Sequence, residues 1–108
     1  MLKCRLGRIA TFWLLTSTSP AVSEVLNCHA ELPPVDHAVC TNAQLRRMDA
    51  DATLRYASVI ATMGKDERQQ LTGYHDSWLS ARSLCGTDLD CLKRVYKTWL
   101  MLLNSHAH

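Results

Sequence analysis

The apolar positions of this 108-residue chain fall into three helical stripes. Leu45, Met48, Ala52, Tyr56, Val59 and Met63 recur at intervals of three, four, four, three and four residues, the period that lines one face of an α-helix. Arg46, Arg47, Asp49, Asp51 and Arg55 are assigned to the other faces. Thr41 or Asn42 offers a side-chain oxygen to cap the start, and Gly64 offers a stop just past the last turn. A second stripe, Leu71, Tyr74, Trp78, Ala81 and Cys85, predicts a helix beginning near Asp66 and ended by Gly86. Gly73 inside it should cost about 1 kcal/mol relative to Ala, so a close helix contact is expected there. Thr87 or Asp88 then caps a third helix, with Leu92, Val95, Tyr96, Trp99, Leu102 and Leu103 facing inward. No segment alternates with period two. The chain reads as all-α.

The segment Cys28 to Cys40 is different. It holds Pro33-Pro34 followed by Val35-Asp36-His37-Ala38-Val39, and Pro34 can open one or two helical turns because its missing N–H is not needed there. The predicted architecture is a small disulfide-stapled bundle of three main helices plus a short N-terminal helical arm. Tyr56, Tyr74, Trp78, Tyr96 and Trp99 all sit on apolar stripes, so they are read as core, with Leu45, Tyr56, Trp78, Tyr96 and Trp99 at its centre.

Charge first suggests a different picture, then withdraws it. Twelve Lys+Arg against ten Asp+Glu give a net charge of +2, which invites a nucleic-acid reading. Lys3, Arg5 and Arg8, however, precede the run Ile9-Ala10-Thr11-Phe12-Trp13-Leu14-Leu15, and no acid appears before Glu24. That run is far shorter than the roughly 20 residues that span a bilayer. With Ala21 and Ser23 as small residues ahead of a cleavage point, residues 1–23 read as a secretory signal peptide and 24–108 as a single domain. Asn27 before Cys28 is a poor fit to the small residue that lipidation requires, so no stable membrane anchor is expected after cleavage. Removing the leader leaves nine basic and ten acidic side chains. No basic stripe then remains for phosphate contacts.

Cleavage also takes Cys4 and leaves Cys28, Cys40, Cys85 and Cys91. An even count in a small exported chain reads as a disulfide framework. Of three connectivities, Cys28–Cys40 with Cys85–Cys91 is preferred because each pair is close in sequence across a turn. A zinc set of Cys28, His37, Cys40 and a distant Cys85 or Cys91 lacks the spacings of structural zinc sites. Catalytic signals are thin. None of His29, His37, His75, His106 and His108 falls in a known catalytic motif, and His75 is read as a surface or rim residue. His106 and His108 lie at a terminus expected to fray. Asp49 and Asp51 point about 200° apart on a helix and cannot cooperate. Asp88 and Asp90 suit a helix start. The chain is read as a non-enzyme without cofactor or metal.

An ordered series of residues resembles the LprI-like lysozyme-inhibitor family of small exported bacterial domains. It comprises Pro34-Val35-Asp36-His37-Ala38-Val39-Cys40, Leu45 and Asp49, Tyr56, Trp78-Leu79 with Arg82 and Cys85, then Cys91-Leu92 and Tyr96. The family pattern runs roughly Cys…Pro-Val-Glu-x-x-Ile-Cys, Leu-x-x-Leu-Asp, Tyr, Gln-x-x-Trp-Leu-x-x-Arg, Cys…Cys-Leu…Tyr, and the match covers residues 28–103. Asp36 stands for the usual Glu, Val39 for Ile, Met48 for Leu, His75 for Gln, and Thr98-Trp99 for an Arg-Ile pair. The resemblance implies an exported helical domain that inhibits a lysozyme by protein–protein binding, in the periplasm or secreted. A periplasmic interaction or immunity-type module with another partner is the alternative. An inhibitor must plug a cleft holding two carboxyl groups, and a disulfide-closed loop suits this because little ordering entropy is lost on binding. The candidate contact loop is Gly86-Thr87-Asp88-Leu89-Asp90, with Arg82 nearby.

Overall fold

Pro34 is where the chain first commits to a helix. Its ring fixes φ, and its absent N–H falls where no intrahelical acceptor exists; α1 (Pro34–Thr41) starts there. In the computed structural model, which describes residues 26–107, three longer helices follow: α2 (Ala43–Ala61), α3 (Lys65–Cys85) and α4 (Leu89–His106). No strand occurs among the described residues. The fold is all-α, and the arm is a helix in its own right, giving four helices where three main ones were expected. The leader segment 1–23, including Cys4, lies outside the described residues.

Helix ends follow the local chemistry. Asn42 caps α2, its Oδ1 accepting the Leu45 N–H at 3.0 Å. Asp88 caps α4, its Oδ1 accepting the Cys91 N–H at 3.1 Å. Gly86 closes α3 at φ +58°, a left-handed backbone that favours glycine. Gly64 differs from expectation. It is the N-cap of α3 at φ −72°, while α2 has already ended at Thr62, whose hydroxyl donates to the Val59 carbonyl at 2.9 Å. The stop is thus made by Thr62, and Gly64 serves the next helix. Gly73 also departs from expectation: an added Cβ there would meet nothing within 4 Å, so no close contact requires it.

Both stapling disulfides form. Cys28 joins Cys40, and Cys85 joins Cys91. The core divides into two clusters. One, around α1, holds Val39, Leu45, Cys85, Leu92 and Tyr96; the other holds Ala52, Tyr56, Val59, Leu71, Trp99 and Leu103. Trp78 packs against both and is itself only partly buried. Leu45, Tyr56, Tyr96 and Trp99 are buried as expected, whereas Tyr74 is 40% exposed and lies outside the core. Each fully buried leucine contributes roughly 2 kcal/mol of burial free energy.

The packing pattern decides where a site can be. Helix α4 packs along both α2 and α3, and α1 lies against both as well, while the α2 and α3 backbones stay apart and meet only through side chains such as Tyr56 and His75. A cleft therefore opens between α2 and α3, with α4 as its floor and α1 near one end.

Candidate functional site

The loop joining α3 to α4 is short and closed. Its disulfide holds the Cα atoms of Cys85 and Cys91 5.4 Å apart. The Gly86 N–H donates to the Ser83 carbonyl at 3.1 Å, and the Asp88 N–H to that of Cys85 at 3.1 Å. Thr87, Asp88, Leu89 and Asp90 are exposed and Gly86 is half-buried. Leu84, just ahead of the loop, is 89% exposed and Leu89 41%. The loop thus presents two apolar side chains to solvent on a constrained backbone.

Arg82 does not join that loop. It is buried, and its guanidinium runs inward. Arg82 Nη2 donates to Asp36 Oδ1 at 2.5 Å, and Nε donates to the Tyr96 hydroxyl at 2.9 Å. Tyr96 in turn donates to Asp49 Oδ1 at 2.7 Å. This chain of hydrogen bonds draws one residue from each of the four helices into a single polar seam. Burial, reinforced by the Asp49 charge, pushes the Tyr96 phenol well above its ordinary range and keeps it neutral. Burial alone would lower Arg82; its hydrogen bonds to Asp36 and Tyr96 outweigh that and hold it raised. Asp49 is therefore an interior residue, not the solvated surface acid that its neighbours suggest.

The seam forms one end of the α2–α3 cleft, which encloses about 280 Å³. Aromatic rings make the rest. Tyr56 and His75 stack with centroids 4.4 Å apart, and Trp78 and Trp99 stack at 5.4 Å. His75 also lies 5.6 Å from Trp99 and 5.7 Å from Trp78. It is thus half-buried among rings rather than a rim residue. Burial lowers its pKa from 6.5, the Asp76 charge only partly opposing this, so the imidazole is neutral near pH 7.

The signal that could have found these residues is their register. Asp49 lies four residues after Leu45 and three before Ala52; His75 lies four after Leu71 and three before Trp78; Arg82 lies four after Trp78 and three before Cys85. Each is a polar residue on an apolar stripe, and a polar residue placed there must find a partner inside.

All four cysteines from Cys28 onward are spent in disulfides, and among the described residues no three His, Cys, Asp or Glu side chains converge on a common point. Among the described residues no helix is long and apolar enough to cross a membrane. Two disulfides are the chemistry of an oxidising compartment. Comparison with protein-family models, with curated proteins and with solved structures gives no match in any of the three.

Proposed function

We propose that the protein is exported and acts by binding another protein through the Cys85–Cys91 loop, and that its target is a lysozyme whose cleft the loop occludes. The observation that carries this reading is a backbone-constrained loop flanked by Leu84 at 89% exposure and Leu89 at 41%. A disulfide and a capped helix start fix the loop before any partner arrives, so docking it sacrifices little conformational freedom. Burying Leu84 against a partner would contribute about 2 kcal/mol, and Leu89, already more than half covered, about 1 kcal/mol or less; exposed Asp90 offers a complementary charge to a basic enzyme. The series from Pro34 to Tyr96 that resembles the LprI-like lysozyme-inhibitor family supplies the choice of target. Without the leader the net charge is close to neutral, so electrostatic steering is weak and affinity must come from the contact itself.

The test is a turnover assay. Purified oxidised protein is added to a panel of lysozymes acting on cell-wall substrate. Inhibition near a one-to-one ratio is expected for at least one enzyme, and Leu84→Asp should weaken it by about tenfold or more while leaving the fold intact. No inhibition of any enzyme at large molar excess would remove the lysozyme reading.

A further inference from the structure

The cleft between α2 and α3 contains a charge that the protein leaves unanswered. Asp36 and Arg82 pair with each other at 2.5 Å, Tyr96 is held neutral, and the His75 ring is neutral near pH 7. Asp49 is then the carboxylate with no counter-charge at the seam. It is 7% exposed, and only its Oδ1 is engaged, by Tyr96. Oδ2 has no donor among the described residues, and the one side-chain polar atom there that is both sealed from solvent and unpartnered is Trp78 Nε1. Oδ2 is therefore open to the cleft that Asp49 lines.

Water alone is a poor answer to that oxygen. The cleft's volume of about 280 Å³ is many times the roughly 30 Å³ occupied by one water molecule. Asp36 and Arg82 also line it but are paired with each other, and away from these charges and Thr53 its walls are mainly the rings of Tyr56, His75, Trp78 and Trp99, which give water few hydrogen bonds. A group that suits both parts carries a positive charge at one end and an apolar stem behind it. The charge answers Oδ2, and the stem lies against aromatic walls that also attract cations. The volume sits at the lower end of ligand pockets, so it takes one side-chain-sized group.

We propose that this cleft is a binding site for an organic cation, an ammonium or guanidinium group on a short alkyl stem, with Asp49 as its counter-ion and Tyr56, His75 and Trp99 as its walls. The site uses none of the residues of the 86–90 loop, so it stands or falls independently of the lysozyme reading. Such a cation has two sources, a free amine or a basic side chain presented by a protein.

The test follows the indole N–H signals of Trp78 and Trp99 by NMR in the oxidised full chain. The probes are n-butylammonium, n-butylguanidinium, n-butanol and butyrate. Both cations should give saturable shifts with millimolar or tighter dissociation constants, and n-butanol should bind at least about tenfold more weakly. Asp49→Asn keeps an acceptor for Tyr96 but removes the charge. It should weaken the cations by about tenfold or more and leave n-butanol unchanged. Equal affinity for n-butylammonium and n-butanol, or no saturable shift with either cation, overturns the proposal without recourse to any variant. Unchanged cation binding in a folded Asp49→Asn protein overturns it as well. A further arm uses N-acetyl-lysine N-methylamide. Binding comparable to n-butylammonium supports the site and assigns the cation to a protein side chain; binding of n-butylammonium alone supports the site and assigns it to a free amine.

Discussion

A phenol can donate one hydrogen bond and accept others, and Tyr96 uses both capacities at once. It donates to Asp49 and accepts from Arg82. Tyr96→Phe removes one oxygen and strips a partner from each neighbour, at a point where the ring itself is fully buried. Leaving buried polar groups unmet costs about 1–3 kcal/mol, so denaturant unfolding should show a loss of that size; a loss near zero would mean that solvent already satisfies the seam. His75 gives the residue scale a pH signature. Burial lowers its pKa in the folded chain below 6.5, so as pH falls the unfolded chain takes up the proton first. Stability from this group is complete above about pH 6.5, declines as pH drops through that value, and levels off once the folded imidazole is protonated too. His75→Phe keeps a ring against Tyr56 but cannot titrate. The difference in unfolding midpoint between pH 7.5 and 5.5 should therefore be smaller in the variant than in the parent; an identical difference would assign the pH response elsewhere. None of this chemistry was visible from residue type alone. Asp49, His75 and Arg82 look like surface residues until their register on the stripes is weighed, and their partners Asp36 and Tyr96 come from other helices. The distance between such groups is a tertiary property that no local spacing encodes.

At the scale of the element, two glycines in α3 and at its end make opposite demands. Gly86 sits at φ +58° and ψ −125°, a region that costs an L-residue on the order of 1–3 kcal/mol. Gly73 is mid-helix with free space where a Cβ would stand, and Ala there should restore about 0.5–1 kcal/mol of lost helix propensity. Thermal unfolding should thus move down for Gly86→Ala and up for Gly73→Ala. A destabilised Gly73→Ala would show that the open space is filled in solution. These two positions also mark how far element reading reaches. The long helices were legible because each carries an apolar stripe that only a 3.6-residue period brings onto one face, and Asn42, Gly86 and Asp88 announced three of the ends. Gly64 is less legible, because a glycine between two helices suits a C-terminus or an N-terminus equally until φ is known. Tyr74 shows the converse limit. It has the spacing of a core residue but lies where α3 faces solvent, since the width of the buried stripe depends on how neighbouring helices cross it.

For the molecule as a whole, the two disulfides are not equivalent, and loop length ranks them in the wrong order. Cys28–Cys40 spans a sequence separation of 12 and Cys85–Cys91 one of 6, so chain entropy in the unfolded state alone credits them with about 3 and about 2.5 kcal/mol. The folded state changes this comparison. Residues 27–31 are all exposed, and the Ala30 N–H to the Asn27 carbonyl and the His29 N–H to Asn27 Oδ1 are short-range bonds of this segment alone. Without its bridge that segment gains freedom in the folded protein too, which cancels part of what the unfolded chain gains. Cys85 and Cys91, by contrast, end α3 and begin α4, and both helices are held by core packing. Their backbone stays ordered when the bridge is removed, so the full entropic difference is felt. The double variant Cys85→Ala with Cys91→Ala should therefore lose more stability than Cys28→Ala with Cys40→Ala, read as the shift in urea midpoint at equal m-value. A larger loss from the Cys28–Cys40 pair would instead show that the arm stays docked without its bridge, through Leu26, which packs on the α1 core cluster and borders the cleft. Since a domain of this size holds only some 5–15 kcal/mol in total, losing both bridges together removes about 5 kcal/mol or slightly less. Reduction should bring the chain close to unfolding at body temperature, a dependence that confines its working life to an oxidising compartment.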